Sequence, residues 1–292
     1  MRRQKIWEKI RPYATIAPST ISIILFVIYP TLYLIYLSFY KYNLMNRARS
    51  RFIGFDNYKN IFQREEFYKS LENTAIYTAG VVFFTLIFAL LVAVWIKKSS
   101  KLNSLVQIGI FVPHIISIVS IAMVWMWVYE PRHGILNYVL ESLGLPTSQW
   151  LTSSKSALIS IIIVSIWHAI GFYALILVAG MKGIDSSIFD AAEIDGVGRF
   201  RMIVNIIIPQ ISPQLFFILI IMTIGSFKVF ETVNIMTAGG PNYSTSTLVY
   251  YIYQFRSDNI GFSAATGVVL MGIIGVLTYV YFSVLSKKVH YQ

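Results

Sequence analysis

The sequence predicts an all-α integral membrane protein with six transmembrane helices, and three observations carry that prediction. Hydrophobic residues make up 56% of the 292 positions. Charged residues make up only 13%, where a soluble domain carries about 25%. Six separate stretches are each apolar enough to cross a hydrocarbon core about 30 Å thick, which takes about 20 helical residues. The long apolar runs and 15% aromatic content exclude a disordered chain, a nucleic-acid-binding domain and an ordinary cytosolic enzyme. With no cysteine in the chain, disulfides, thiolate metal sites and a thiol nucleophile are excluded as well.

The first span, 16–38, follows the basic start Arg2, Arg3, Lys5, Lys9 and Arg11. It is too long for a signal-peptide core and no small-x-small cleavage pattern follows it, so it reads as an anchor that stays. The second, third and fourth spans are placed at 74–96, 107–129 and 157–180. Pro30 and Pro113 read as kinks, because a lost backbone bond inside a span matters most where a helix must bend. Trp125, Trp127 and Tyr129 read as an interfacial aromatic belt. Pro209 and Pro213 mark the start of the fifth span, 211–236, and the sixth is 264–286.

Six spans put both termini on one side. The N-terminal stretch, the 97–104 turn, the 181–210 segment and the tail together carry 13 Lys and Arg in short segments. The opposite loops hold seven in 40–72, two in 130–155 and one, Arg256, in 237–263. Although Arg47, Arg49 and Arg51 run against the trend, the short segments favour an N-in, C-in arrangement. The net charge of +11 is then a topology signal rather than the mark of a polyanion partner.

The chain lacks the motifs of a catalyst. It has no G-x-x-x-x-G-K-[ST], and the Gly196-Val-Gly198 pair lacks the final glycine of G-x-G-x-x-G. The four histidines (114, 133, 168, 290) are scattered, and no metal-ligand spacing occurs. Transport is therefore the default activity, with no catalytic residue and no metal site expected.

The most informative segment is the basic-side connection at about 181–210. Asp185 or Ser186 suits the start of a short helix, Ala191 and Ala192 allow close approach of another surface, and Gly196 suits the left-handed end of that helix. Taken alone, it also fits an amphipathic connector lying at the interface, and Ser187-x-x-Asp190 fits a capping box. The spacing adds more. Asp190-Ala191-Ala192, three residues, Gly196, nine residues and Ile206-Ile207-Ile208-Pro209 resemble the EAA loop of permease subunits in binding-protein-dependent ABC importers. Asp stands for the family's Glu at 190 and Ile for its Leu at 208, while the Gly-to-Pro register is kept. The Asp195-Gly196 pair has the form found in sugar permeases. Phe227 to Pro241, with Gly239-Gly240-Pro241, and Ile53-Gly-Phe-Asp-Asn-Tyr58 also resemble the maltose/glycerol-3-phosphate group of that family, specifically the member of the permease pair with the Gly-Gly-Pro loop.

This resemblance, which covers nearly the whole chain, implies a type I ABC importer permease fold, with residues 1–292 as a single transmembrane domain in a bacterial cytoplasmic membrane. It implies a second homologous permease, two ATPase subunits that bind ATP and Mg, an extracytoplasmic solute-binding protein and a carbohydrate substrate. This chain itself would need no cofactor and would bind no nucleic acid. The residues implied in ATPase coupling are Asp190, Ala191, Ala192, Asp195, Gly196, Ile206 and Pro209.

Ionisable residues at membrane depth cost about 2.5–3.5 kcal/mol each on insertion scales and usually face a cavity or one another. Four occur: His114, His168, Lys228 and Glu231. Lys228 and Glu231, three apart on one helix, would share a face and pair; the other reading is a cavity wall. The histidines are either neutral rings bonded to backbone carbonyls or part of the same wall. Positions matching the sugar contacts of the maltose permease are His114 and Ile118 on span three, Ser165, His168, Ala169 and Phe172 on span four, and Gly225, Ser226 and Val229 on span five. Phe172 would be the stacking platform, while Ser165, Ser226 and the histidines would be the hydrogen-bonding groups. His114, His168 and Lys228 around one cavity would favour an acidic sugar or a phosphate ester.

The expected function is that of a permease subunit of an ATP-driven importer for a carbohydrate, in particular an oligosaccharide. The alternative is an ion-coupled secondary transporter working without ATPases, which would show broken helices with paired charges in matching halves.

Overall fold

The computed structural model describes residues 2–42, 50–97, 100–257 and 259–285. Arg47, Arg49, Lys98, Lys287, Lys288 and the last residue of the predicted sixth span lie outside the described residues. The chain forms two compact units.

The smaller unit runs up to Arg64 and includes Ile252–Met271. Helix α1 (Arg2–Ile23) passes through a π turn at Ile24–Ile28 into α2 (Tyr29–Ser38). Pro30, in the first turn of α2, has no N–H to give, and the helix widens just before it, with Tyr29 N–H donating to the Ile24 carbonyl. Strands β1 (Tyr40–Lys41) and β2 (Arg51–Phe52) pair antiparallel, and α3 (Asp56–Phe62) follows. Asn57 is buried and donates to the Ser38 and Tyr40 carbonyls at 2.8 and 3.0 Å, tying α3 to the end of α2. The Arg64 guanidinium lies 5.2 and 5.0 Å from the ring centres of Phe255 and Phe262.

The larger unit contains α4 (Glu65–Ile96), α5 (Lys101–Ile115), α6 (Ile118–Val128), α7 (Ile135–Ser142), α8 (Ala157–Lys182) and α9 (Ser186–Ile194). It continues through the single turns α10 (Arg199–Arg201) and α11 (Ile208–Gln210), then α12 (Ser212–Phe227) and α13 (Glu231–Met236). Helices α14 (Leu248–Gln254) and α15 (Ile260–Val280) each pass from one unit into the other. Five stretches are long and apolar enough to span a bilayer as single helices, or six if α5 and α6 count as one.

That pair departs from expectation. The stretch read as one straight third span turns by 96° between α5 and α6. The turn does not fall at Pro113, which remains inside α5. It falls just after, where Ile116 (φ −74°, ψ 141°) and Ser117 (φ −53°, ψ 128°) take non-helical backbone.

The core is an α4–α8 contact extended by α12. Small residues let these helices approach: Ala89 and Ala93 on α4 and Ala174 on α8 are fully buried beside Leu177, Ile207, Ile211 and Ile218. Gly171 is where α5 meets α8, since a methyl group there would overlap the Ile110 backbone carbonyl. Tyr129 belongs to this interior too. It is 1% exposed and donates to the Ser160 carbonyl at 3.1 Å, so it is a core residue and not part of an interfacial belt. Trp127 is 60% exposed.

Polar side chains fix the loop opposite the basic turns. Asn73 donates to the Tyr243 and Ser246 carbonyls at 2.7 and 2.9 Å, and Ser70 bonds Ser246 at 2.9 Å. The Thr74 hydroxyl accepts from the Leu248 N–H at 2.9 Å. The first turns of α4 thus supply hydrogen bonds that the irregular 239–247 backbone does not make for itself.

Candidate functional site

Two sites emerge in the larger unit. The first is a cavity of about 210 Å³. Tyr77 and Val81 of α4, Ile118 at the start of α6, Ser165, His168, Ala169 and Tyr173 of α8, and Met222, Gly225 and Ser226 of α12 line it. Lys228, Val229, Glu231 and Thr232 complete the wall.

The helix read as continuous through Lys228 and Glu231 breaks between them. α12 ends at Phe227, Lys228 caps it, and α13 begins at Glu231. The two charges are therefore not neighbours on one helical face. Ion pairs among the described residues join Lys59 to Asp56, Lys69 to Glu72 and His133 to Glu130, and none includes Lys228 or Glu231. The structural ion pair expected from their spacing is replaced by two separate charges on the cavity wall, because a three-residue spacing makes partners only where the helix continues.

Nine of the eleven residues expected on the substrate path line this cavity: Ile118, Ser165, His168, Ala169, Gly225, Ser226, Lys228, Val229 and Glu231. His114 and Phe172 do not. Their rings stack on each other, 4.3 Å apart and 16° from parallel, so one face of the Phe172 ring is covered by His114. The His168 ring centre lies 5.2 Å from that of His114. The Ser165 hydroxyl is also engaged, donating to the Ile161 carbonyl at 2.9 Å and accepting from Tyr77 at 2.8 Å. Sequence reasoning missed Tyr77, Val81, Tyr173, Met222 and Thr232. A phenol in the middle of an apolar span was the available signal for Tyr77, because a buried tyrosine hydroxyl needs a partner.

The second site is the 181–210 segment. Asp185 is the N-cap of α9, its carboxylate accepting from the Ser187 N–H at 2.9 Å. That hydrogen bond holds the Asp185 carboxyl below its ordinary range. The capping box expected from Ser187 and Asp190 is absent because the helix begins one residue before Ser187. Asp190 is left exposed with Ala191 and Ile194 on one outward face. Gly196 takes φ +68°, its N–H donating to the Glu193 carbonyl and that of Val197 to the Ala192 carbonyl. This is a Schellman ending, which leaves the chain turned sharply away from α9. The inward side packs: Ala192 is buried, and Ile188, Phe189, Met202 and Ile203 rest on the core cluster of α4, α8 and α12. Of the remaining residues singled out here, Ile206 and Pro209 are half-buried and Asp195 is exposed. Ile194 at 86% and Phe200 at 78% exposure are two further apolar groups on this segment that sequence reasoning did not identify.

A bundle of membrane helices around a polar cavity, joined through one packed core to a rigid segment at the basic end, is the architecture of a transport permease. The chain belongs to the family of binding-protein-dependent transport system inner membrane components, which it matches over residues 72–291. It is 30% identical to the sulfoquinovosyl glycerol transport system permease protein SmoG of Agrobacterium fabrum, over 94% of this chain and 89% of that one. It is likewise 30% identical to the sn-glycerol-3-phosphate transport system permease protein UgpA of the same organism, over 97% of each. In fold it is similar to a chain of the bacterial alginate ABC transporter solved in complex with an alginate pentasaccharide-bound periplasmic protein. That match has a TM-score of 0.84 and 24% identity, and covers 98% of this chain and all of the other. The protein is a non-catalytic permease component of an ABC sugar importer.

Proposed function

We propose that this chain forms half of a translocation path in a bacterial cytoplasmic membrane, with a second homologous permease, two ATPase subunits and an extracytoplasmic solute-binding protein. The outward face of α9, with Asp190, Ala191 and Ile194, docks on an ATPase subunit. One observation carries the coupling: the cluster that receives Ile188, Phe189, Met202 and Ile203 from the 181–210 segment also contains Met222, and Met222 lines the cavity. A displacement of α9 is therefore passed by close-packed side chains to the cavity wall, since packed interiors transmit strain rather than absorb it.

The cavity carries a saccharide, and the Lys228 ammonium and His168 on a wall that also holds Glu231 favour an anionic one. Relatives named for sn-glycerol-3-phosphate, and a fold neighbour described as importing the acidic polysaccharide alginate, support that preference. A relative named for diacetylchitobiose shows that the family is not confined to one sugar. The test is to purify the tagged chain gently from its native membrane and identify its companions by mass spectrometry. A second six-span permease together with a nucleotide-binding subunit is expected. A chain that runs alone or as a homodimer under several detergents would overturn the proposed assembly. Competition between neutral and anionic glycosides in the intact system then tests the charge preference, and equal competition by both would overturn it.

A further inference from the structure

The 181–210 segment encloses a second, larger cavity of about 1070 Å³ against the last turns of α4 and α8. Its lining divides by chemistry. Trp95 on the last turn of α4, 67% exposed, and Ile203 belong to an apolar wall. Lys97, Lys182 and Arg199 come from three different segments to the same space, against a single carboxylate, Glu193. None of the ion pairs among the described residues involves Lys182, Arg199 or Glu193. The Lys97 ammonium lies 4.7 Å from the centre of the Phe189 ring, so a cation at the end of α4 reaches across to α9.

We infer that this cavity holds the headgroup of an anionic phospholipid from the inner leaflet, its phosphate between Lys182 and Arg199 and its acyl chains along Trp95. Three arguments select that occupant. Lys182 and Arg199 outnumber the one carboxylate, Glu193, and that excess demands an anion. The cavity sits where two spans end on the basic side, at the depth where lipid phosphates lie and where tryptophan collects. Its walls are amphiphilic, whereas a site for a small soluble anion has no use for an exposed indole. The lipid would brace α9 against the ends of α4 and α8, making the stiffness of the coupling segment depend on membrane composition. The binding claim stands on the cavity alone; its consequence for transport rests on the coupling proposed above.

The test uses the intact assembly with its co-purifying subunits in nanodiscs of phosphatidylcholine with and without phosphatidylglycerol, counting the lipids kept on this chain by native mass spectrometry. Wild type is expected to retain phosphatidylglycerol over phosphatidylcholine. K182Q/R199Q should weaken that retention on the order of tenfold, since each basic residue at the surface contributes appreciably, and K182R/R199K should restore it. Equal retention of the two lipids by wild type, a comparison that needs no variant, would overturn the inference. So would unchanged retention in K182Q/R199Q, or displacement of the lipid by inorganic phosphate, which would make this a site for a free anion. Loss of an ATPase subunit from K182Q/R199Q with lipid retention unaltered would assign the cavity to a protein partner and also overturn it. Because lipid retention is read without uptake, failure here is distinct from failure of the coupling proposal.

Discussion

The cavity and the coupling segment both depend on interrupted helices, but the interruptions are built from different materials. At Gly196 the backbone solves its own problem: the glycine takes φ +68°, two N–H groups close the end of α9, and Asp185 closes its start. At the cavity the breaks at Ile116–Ser117 and Lys228–Phe230 carry no side-chain cap on the helix that follows. They persist because segments distant in sequence fix them: α5 seats on α8 at Gly171, and the Thr247 hydroxyl, in the loop before α14, donates to the Val229 carbonyl at 3.2 Å. A locally closed break acts as a stiff lever. A break held from outside exposes backbone and charge to a cavity, as non-helical backbone at membrane depth must.

Each side of this contrast can be broken. The largest effect is expected at Gly171. Replacement by Val would force α5 off α8, with the overpacking costing about 3 kcal/mol or more, and thermal stability of the purified chain would fall most for this variant. If Gly171→Val melts like wild type, the packing account of the cavity fails. Gly196→Val comes next. A β-branched residue at positive φ is strained by roughly 1–2 kcal/mol, which should leave membrane insertion intact while uptake falls at least tenfold; normal uptake would sink the lever.

Asn73→Leu should cost about 2 kcal/mol, because the carbonyls of Tyr243 and Ser246 lose their buried donor. That loss would register as a lowered melting temperature and faster proteolysis of the 239–247 loop. A double-mutant cycle on Lys228→Gln and Glu231→Gln sharpens the cavity side. With the helix broken between them, their stability coupling should stay below about 0.5 kcal/mol, and a larger value would restore the ion pair that the spacing suggested.

The smallest effect is at Asp185. Its carboxyl is held below the ordinary range by the Ser187 N–H, so the cap contributes fully above the unfolded carboxylate value. The contribution disappears as pH falls through the lowered folded value. Asp185→Asn, which keeps a capping oxygen without the titration, should flatten that acid limb when stability is followed downward from neutral pH.

What was readable in the sequence follows the same division. The short helix, its cap, its left-handed glycine and the prolines beyond depend on residues within a few positions of one another, so local spacing was enough to place them. The cavity was legible in part: His168, Lys228 and Glu231 stood out because ionisable groups inside apolar spans are costly, and Ser226 followed from the resemblance to the maltose permease. Their arrangement was not legible. The spacing of Lys228 and Glu231 assumed an unbroken helix, and the stacking of His114 on one face of Phe172 depends on a neighbouring helix.

The sequence by itself determined that the chain is a helical membrane protein with five or six apolar spans and a capped short helix on its basic side, because hydropathy, charge asymmetry and capping chemistry act over one span or one turn. Tertiary structure alone decided that the third span turns by 96°, that Tyr129 is buried, and that His114 covers Phe172 while Lys228 and Glu231 stand apart. These outcomes depend on contacts between helices distant in the chain, where a carbonyl meets a glycine or a ring meets a ring, and no local pattern encodes them.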